Sequence, residues 1–473
     1  MAGGQRRNGI YAALALAAGL VLRLWFVAHA GRIDGDTLIY GNIARNWMQH
    51  GVYSFTPSPI KPIPTLIRLP GYPLFLIACF RIFGVDQYTA VMYVQCVIDL
   101  FTCGVIAALA GRLFGYRAAM AALWLSALCP FMATYTAAPL TEVLTLTCIA
   151  LSFYGVERWQ SEGFGFNLWL WLTASALAYA VLLRPEQGLL AATVIPAMLW
   201  MVWQASTSGS VRKRALPVAV AALCVVLPLV PWTLRNYRTF HVLQPLAPRF
   251  ATDPREFVPL GFQRWFRTWA IDFSSTEEVY WNYDSAPVEM GDLPSRAFDS
   301  SEQYAQTAAI LNDYNLHYNA TPALDVRFKA LAEERIHDDP LRYYVALPIA
   351  RLLNMAFRPR AEMLQIPLEW WKWREHPRMT LLAAVLAGLN LGYFALAGVG
   401  LWRWRRIGWG PHVALVWAMA GFVVLRCLLL LTLDNSETRY TLEFFPLLIV
   451  WGSFLFSSAT KDSTQLTPRC DMR

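Results

Sequence analysis

The chain has 473 residues, of which 56% are hydrophobic and only 15% charged, with a formal net charge of +8 and a mean hydropathy of +0.36. A water-soluble domain carries about 25% charged residues, so this composition excludes a chain whose helices mostly face water. The basic residues form no single patch interleaved with aromatics, which excludes a nucleic-acid-binding footprint, whereas 20 Trp and 20 Tyr are rings that collect at membrane–water boundaries.

In chain order, Arg6 and Arg7 precede an apolar run from Ile10 to Val27, followed by Ala28-His29-Ala30. A cleaved secretory signal ending there is one reading. The run is also long enough to span a bilayer, and we expect an uncleaved first helix. A spanning helix needs about 20 apolar residues, and the stretches that qualify are 10–29, 88–110, 117–136, 141–157, 167–184, 187–204, 215–231, 380–402, 411–431 and 441–457. The stretch 71–84 is apolar but, at about 14 residues, short for a crossing. Pro70 and Pro73 mark its start and Gly84 its end, and it reads as an interfacial helix. The expected fold is therefore an all-α polytopic membrane protein with about ten transmembrane helices, interfacial helices in the first outside loop, and an extracytoplasmic soluble segment.

Charge tests that arrangement. With the N-terminus cytoplasmic, the inside connections hold Arg112 and Arg117, Arg158, Arg212-Lys213-Arg214, Arg403, Arg405 and Arg406, and Lys461, as the positive-inside rule requires. Counting 71–84 as a span would put these clusters outside. Both termini are then cytoplasmic, and the outside segments are 30–87, the tip near 137–142, the turn near 185, 232–379 and 432–440. Three regions follow: an N-terminal membrane half (1–231) with the first outside loop (30–87), an extracytoplasmic segment (232–379), and C-terminal membrane helices with a cytoplasmic tail (380–473). The middle segment has a helical patch at 322–337, and its end, with Pro340 to Arg358 and Trp370-Trp371-Lys372-Trp373, has the character of interfacial helix. Ser206–Ser210 reads as a linker.

The cysteines lie in apolar runs or the tail, with no CxxC spacing, and read as small buried hydrophobes. The histidines are scattered, with no HExxH, so no zinc site and no metal-ligand set is assigned. Charges inside spans are costly and usually functional; Arg23, Asp99 and Arg426 qualify.

The chemistry concentrates outside. The first loop reads Arg32-Ile-Asp34-Gly-Asp36-Thr-Leu-Ile-Tyr40-Gly-Asn42-Ile-Ala-Arg45-Asn-Trp47, an amphipathic helix that Gly51 would cap. Asp36 stands at its start, either as the N-cap or as a carboxylate at the membrane mouth, ready to accept a proton from a hydroxyl. Asp34 reads as a turn residue beside Gly35. Glu142 should open a helix on the outer side, either as a partner of the helix dipole or as a second active-site carboxylate.

These stretches resemble a known family. Asp36-x-x-x-Tyr40, Ile43-Ala44-Arg45-Asn46, Gly51 and Arg68-Leu-Pro70-Gly71-Tyr72-Pro73 are similar to the C-type membrane glycosyltransferases, in the branch of protein O-mannosyltransferases and aminoarabinose transferases. Glu142, Arg184-Pro185, Pro231-Trp232-x-x-Arg235-Asn236-Tyr237, and Arg439-Tyr440 before Pro446 fit the same pattern, while 240–340 matches nothing in it. The resemblance implies a transferase that uses a polyprenyl-phosphate sugar donor at an outer-face active site, with Asp36 catalytic. Where some relatives have an acidic-Glu-Lys-Pro pattern, this chain has Arg68-Leu-Pro70, which leaves the acceptor and any metal open.

In that reading Asp36 is the general base, and arginines stabilise the leaving lipid phosphate with an inverting outcome. Arg offers a planar fork for phosphate oxygens, and Arg68, Arg184, Arg235 and Arg439 face outside. Each has a plainer role to weigh: Arg235 at a helix end, Arg184 paired with Glu186, Arg439 paired with Glu437. Asp34, Tyr40, Tyr72 and Tyr440 complete the expected substrate-binding set. No cofactor is required by the pattern, and a divalent cation at Asp36 or Glu142 stays open. The expected partners are the lipid-phosphate donor, the membrane, and a protein, lipid or glycan acceptor; the expected location is a bacterial plasma membrane with the site on the periplasmic face. Two other readings compete: an oligosaccharide ligase or polymerase using lipid-diphosphate donors, and a polytopic transporter or lipid flippase.

Overall fold

The computed structural model describes residues 2–57, 60–205 and 211–457, with side chains from residue 8 onward. The Ser206–Ser210 linker, Lys461 and the side chains of Arg6 and Arg7 lie outside these residues. Among the described residues the fold is helical throughout, without a β-strand; one isolated antiparallel bridge joins Ser54 and Pro64. The chain forms two compact units. The first is Met1–Ala251, Leu391–Val423 and Leu442–Arg473; the second is Thr252–Asn390 and Val424–Thr441.

The first unit holds helices α1 (Ala2–Ala30), α2 (Gly35–His50), α3 (Gly71–Phe83), α4 (Tyr88–Phe114), α5 (Tyr116–Ala127), α6 (Pro130–Ala133), α7 (Glu142–Ser161), α8 (Leu168–Leu183), α9 (Gly188–Ala205), α10 (Val211–Val226) and α11 (Leu229–Phe240). Among the described residues six helical stretches are long and apolar enough to cross a bilayer: Asn8–Ala30, Tyr88–Phe114, Pro185–Ala205, Val211–Phe240, Pro377–Ile407 and Gly410–Leu430. The bent pair Tyr116–Ala127 and Pro130–Ala137 makes a seventh. All ten expected spans coincide with helical segments, but three do not look like lipid-facing spans. α7 carries Glu142, Glu157 and Arg158, yet most of its residues, both glutamates included, are buried in protein, so it need not be apolar on a lipid side. α8 is only 16 residues long, and 441–457 is a 3₁₀ turn, a short α-helix (Phe445–Ser453) and a second 3₁₀ turn.

The break between α5 and α6 bends the chain by 49°. Pro130, at the first position of α6, has no N–H to continue the ladder, so the last carbonyls of α5 need other donors. Arg23 supplies them: its Nη1 donates to Ala127 O at 2.7 Å and its Nη2 reaches Ser126 O at 3.5 Å. The Tyr393 hydroxyl donates to Leu125 O at 2.7 Å. Arg23 is fully buried and donates from Nε to Asp99 at 2.8 Å, so two of the three span charges flagged in the sequence neutralise each other.

The second unit is built on an aromatic core of Phe262, Trp265, Trp269, Tyr283, Tyr314 and Phe328, with the Phe262 and Tyr283 rings stacked at 3.7 Å. Its helix Pro322–Asp338 is the patch expected at 322–337. Pro322 opens it, and the Thr321 hydroxyl caps it by accepting from Leu324 N at 3.3 Å, as the N-terminal signals dictate. The buried Arg335 side chain donates to Thr268, Ala297 O, Gln303 and Arg296 O. Asp299 lies 3.2 Å from Arg335 and receives two hydrogen bonds from Arg342, which hold its carboxyl below the usual range.

Candidate active site

The loop after α1 is where the expected carboxylate sits. Gly35 takes a φ of +45° with open space around it, so the backbone angle, not crowding, calls for glycine there. That turn starts α2 at Gly35, two residues earlier than an Asp36 N-cap would require. The N-cap is Asp34, without a side-chain capping bond, and Asp36 lies within the first turn. The N-cap position weighed for Asp36 is thus corrected to Asp34, and the Asp36 carboxylate accepts from Arg68 Nη2 at 2.7 Å. The two side chains are 25% and 20% exposed, so solvent and ligands reach the pair. Asp34 faces outward and pairs with Arg32 at 3.3 Å.

Arg68 arrives on a folded-back loop. Gly51 caps α2 in the left-handed conformation, its N–H bonded to Trp47 O. Asn46 Nδ2 then donates to Ser54 O and Thr56 O, and Thr65 N donates to Tyr53 O at 2.9 Å. Tyr53, Leu66, Leu69, Ile43 and Trp232 bury together beneath this loop. The following Gly71 begins α3, where a Cβ would come within 2.6 Å of the Leu182 carbonyl; only glycine lets α3 approach α8 this closely. Tyr72 is buried edge-on to Tyr40 at 5.1 Å, and its hydroxyl donates to Gln95 Oε1 at 2.8 Å.

A second polar cluster converges at the start of α7 and the end of α8. Arg184 Nε lies 2.8 Å from Glu186, and its Nη1 lies 3.3 Å from Glu142 and 3.7 Å from Glu443. Glu142 and Glu443 are almost entirely buried, and Gln187 Nε2 donates to Glu443 at 2.7 Å. Three carboxylates thus share one guanidinium and fix its plane. Tyr40 joins the two clusters electrically. Burial pushes its phenol up to about 12, with Arg68 drawing it back and Asp36 raising it, and with Arg184 and Glu142 also acting on it. Tyr40 therefore stays protonated, and the Arg68 guanidinium lies 5.8 Å from the centre of its ring.

Arg235 is spent differently. Its guanidinium donates to Thr65 O at 2.7 Å and Tyr53 O at 3.1 Å, and it lies 5.3 Å from each of the Tyr53, Trp232 and Phe240 rings. Arg439 and Tyr440 belong to the second unit, where both engage Glu437, at 2.6 and 2.8 Å. Burial raises the Tyr440 hydroxyl well above its ordinary range. Among the described residues no group of three or more His, Cys, Asp or Glu is placed to hold a metal; where Glu142, Glu186 and Glu443 meet, they meet on Arg184.

Sequence reading missed Glu443 and Gln187. The signal for Glu443 was present: an acid two residues inside an expected span falls under the same rule that singled out Arg23, Asp99 and Arg426. Gln187 carried none.

Residues 63–232 match a family model described as dolichyl-phosphate-mannose-protein mannosyltransferase. The resemblance read from the motifs is borne out over this segment, which includes Arg68, Tyr72, Glu142 and Arg184. In fold the chain is similar to the oligosaccharyltransferase of Archaeoglobus fulgidus, solved tethered to an acceptor peptide. The TM-score is 0.51 at 11% identity, covering 94% of this chain and 49% of that one. The chain spans about half the length of that archaeal protein. ArnT from Cupriavidus metallidurans, in the apo state, aligns over 96% of this chain and 78% of its own at 16% identity, with a TM-score of 0.37. No curated protein matches the chain in sequence.

Proposed function

We infer that this polytopic membrane protein is a C-type glycosyltransferase that moves a single sugar from a polyprenyl-phosphate donor to an acceptor hydroxyl outside the cytoplasm. The observation that carries the reading is the accessible Asp36–Arg68 pair at 2.7 Å, set directly after the first apolar helix. The family description supports a lipid monophosphate and makes mannose the first sugar to test. The charge pattern of the short loops supports an outward-facing site, in a bacterial plasma membrane with both termini inside.

The chemistry follows from the residue types. In the resting protein Asp36 and Arg68 satisfy each other. A donor phosphate competes for the Arg68 fork and frees a carboxylate oxygen for the acceptor. Asp36 then takes the hydroxyl proton as that oxygen attacks the anomeric carbon from the face opposite the phosphate. The bond between that carbon and the phosphate oxygen breaks, and its electron pair leaves on the lipid phosphate, inverting the configuration. Arg68 and Arg184 meet the charge that develops there. Glu142, buried against Arg184, holds that guanidinium in place. Tyr40 and Tyr72 wall the site, and Tyr40 remains a hydrogen-bond donor. The acceptor is a protein, lipid or glycan hydroxyl.

The test supplies two donors to the purified protein in nanodiscs: polyprenyl-phosphate mannose and a polyprenyl-diphosphate oligosaccharide. Consumption of the first, with release of polyprenyl phosphate, is the expected result. Consumption of the second alone would replace the reading with a ligase. Lipid or sugar movement across vesicles with no covalent product would replace it with a transporter.

A further inference from the structure

We propose that Arg235 and Tyr53 are positioning residues for Arg68: the guanidinium of Arg235 clamps both arms of the loop 53–65, and the Tyr53 hydroxyl transmits that clamp to the Arg68 backbone. The inference rests on the proposed role of Arg68 as a phosphate ligand and deepens it.

The clamp is read directly. Nη1 and Nη2 of Arg235 each donate to a backbone carbonyl, of Thr65 and of Tyr53, and these residues are the pair joined by the Thr65 N to Tyr53 O bond. Nη1 also reaches Asn236 Oδ1 at 3.0 Å, while Asn236 Nδ2 ties the chain beyond α11 through Gln244 O at 2.8 Å. Around the guanidinium stand Tyr53, Trp232 and Phe240, an aromatic setting that favours a cation. Lysine, with one ammonium in place of a fork, would not reproduce two carbonyl bonds and three ring contacts together.

The transmission is a single hydrogen bond. Tyr53 is buried, its ring packs edge-on against Trp47 at 5.2 Å and Trp232 at 5.0 Å, and its hydroxyl donates to Arg68 O at 2.9 Å. Burial raises the phenol well above its usual range, so it keeps that proton. The far end of Arg68 is held by Asp36 and its near end by Tyr53. The backbone from which the side chain departs is thereby fixed, and its tip rests on Asp36 until a phosphate takes that place, which lowers the ordering cost of the exchange. Three separate elements meet in this arrangement: α2 supplies Asp36, the loop supplies Tyr53 and Arg68, and α11 supplies Arg235.

The experiment uses the full-length protein in nanodiscs and reads binding of polyprenyl phosphate, with polyprenol lacking the phosphate as control. Tyr53→Phe keeps the ring and removes only the hydroxyl; Arg235→Lys keeps the charge and removes the fork. Each is expected to weaken polyprenyl phosphate binding by about fivefold to tenfold, the size of one hydrogen bond, and to leave polyprenol binding unchanged. In an Arg68→Gln background both should add nothing further, because their effect passes through Arg68. Amide hydrogen exchange should rise at 63–68 in both variants while α2 and α3 keep their protection. Equal losses with and without Arg68 would overturn the positioning role and make Arg235 a phosphate contact in its own right. Unchanged exchange at 63–68 would overturn it by itself. If Arg68→Gln alone leaves phosphate binding intact, the role of Arg68 in the proposed function fails, and the exchange measurement still decides whether the clamp exists.

Discussion

Replacing Asp36 by Asn separates chemistry from stability. The amide is isosteric, and its oxygen still accepts from Arg68, so the 2.7 Å contact loses charge but not shape. With both side chains partly exposed, the ion pair is worth about 1 kcal/mol or less, and the melting temperature should move by only about 2 °C. An amide cannot take a proton. Removing a general base costs roughly 10²- to 10⁴-fold in rate, or about 3–5 kcal/mol in the barrier. The assay is turnover of polyprenyl-phosphate sugar in nanodiscs beside a thermal melt of the same preparation. A loss of at least about 100-fold in turnover, with an almost unchanged melt and donor KM, is expected. Turnover within threefold of the parent would remove Asp36 as the base. A large fall in melting temperature would show that the carboxylate is structural instead.

Three further outcomes follow from the ion pairs. Arg184→Gln strands Glu142 and Glu443, both almost fully buried, and should cost about 3–5 kcal/mol of stability; adding Glu443→Gln should recover part of that loss in the melt, and a double variant no more stable than the single would refute the shared pairing. Arg23→Leu should cost a similar amount, with Asp99→Leu restoring most but not all of it, because Ala127 O still lacks its donor; purely additive losses would show that the pair is not coupled. In the second unit, Arg342 depresses the Asp299 carboxyl, so its contribution to stability is complete above the unfolded value of about 3.9 and is lost as pH falls through the lower folded value. Asp299→Asn should accordingly flatten the acid limb of amide-exchange protection across 296–342, and an unaltered limb would exclude the linkage.

What could be read in the sequence was local. Pro70, Pro73 and Gly84 announced a short helix, because proline fixes the backbone and glycine frees it wherever they stand, and the structure opens α3 after Pro70 and ends it before Gly84. The helical patch expected at 322–337 is likewise the helix Pro322–Asp338. What could not be read was convergence. Gln187 and Glu443 are 256 positions apart, and no spacing rule joins them. The role of an arginine was equally hidden, since charge and membrane side are the same whether the fork faces a phosphate or, as in Arg235, two carbonyls. Hydropathy counts what lipid would tolerate, and in α7 the two glutamates Glu142 and Glu157 are buried against protein, a setting that no hydropathy count shows. Asp36 was weighed as an N-cap, but the left-handed turn at Gly35 moves that position to Asp34.

The partnership of Arg23 with Asp99 and the broken fifth helix also constrains biogenesis. During synthesis α1 enters the bilayer carrying a lone guanidinium, at a cost of about 3 kcal/mol. Asp99 emerges 76 residues later, and the open carbonyl at Ala127 follows 104 residues behind the arginine. Until those partners are made, the apolar length of α1 alone offsets the cost of that charge.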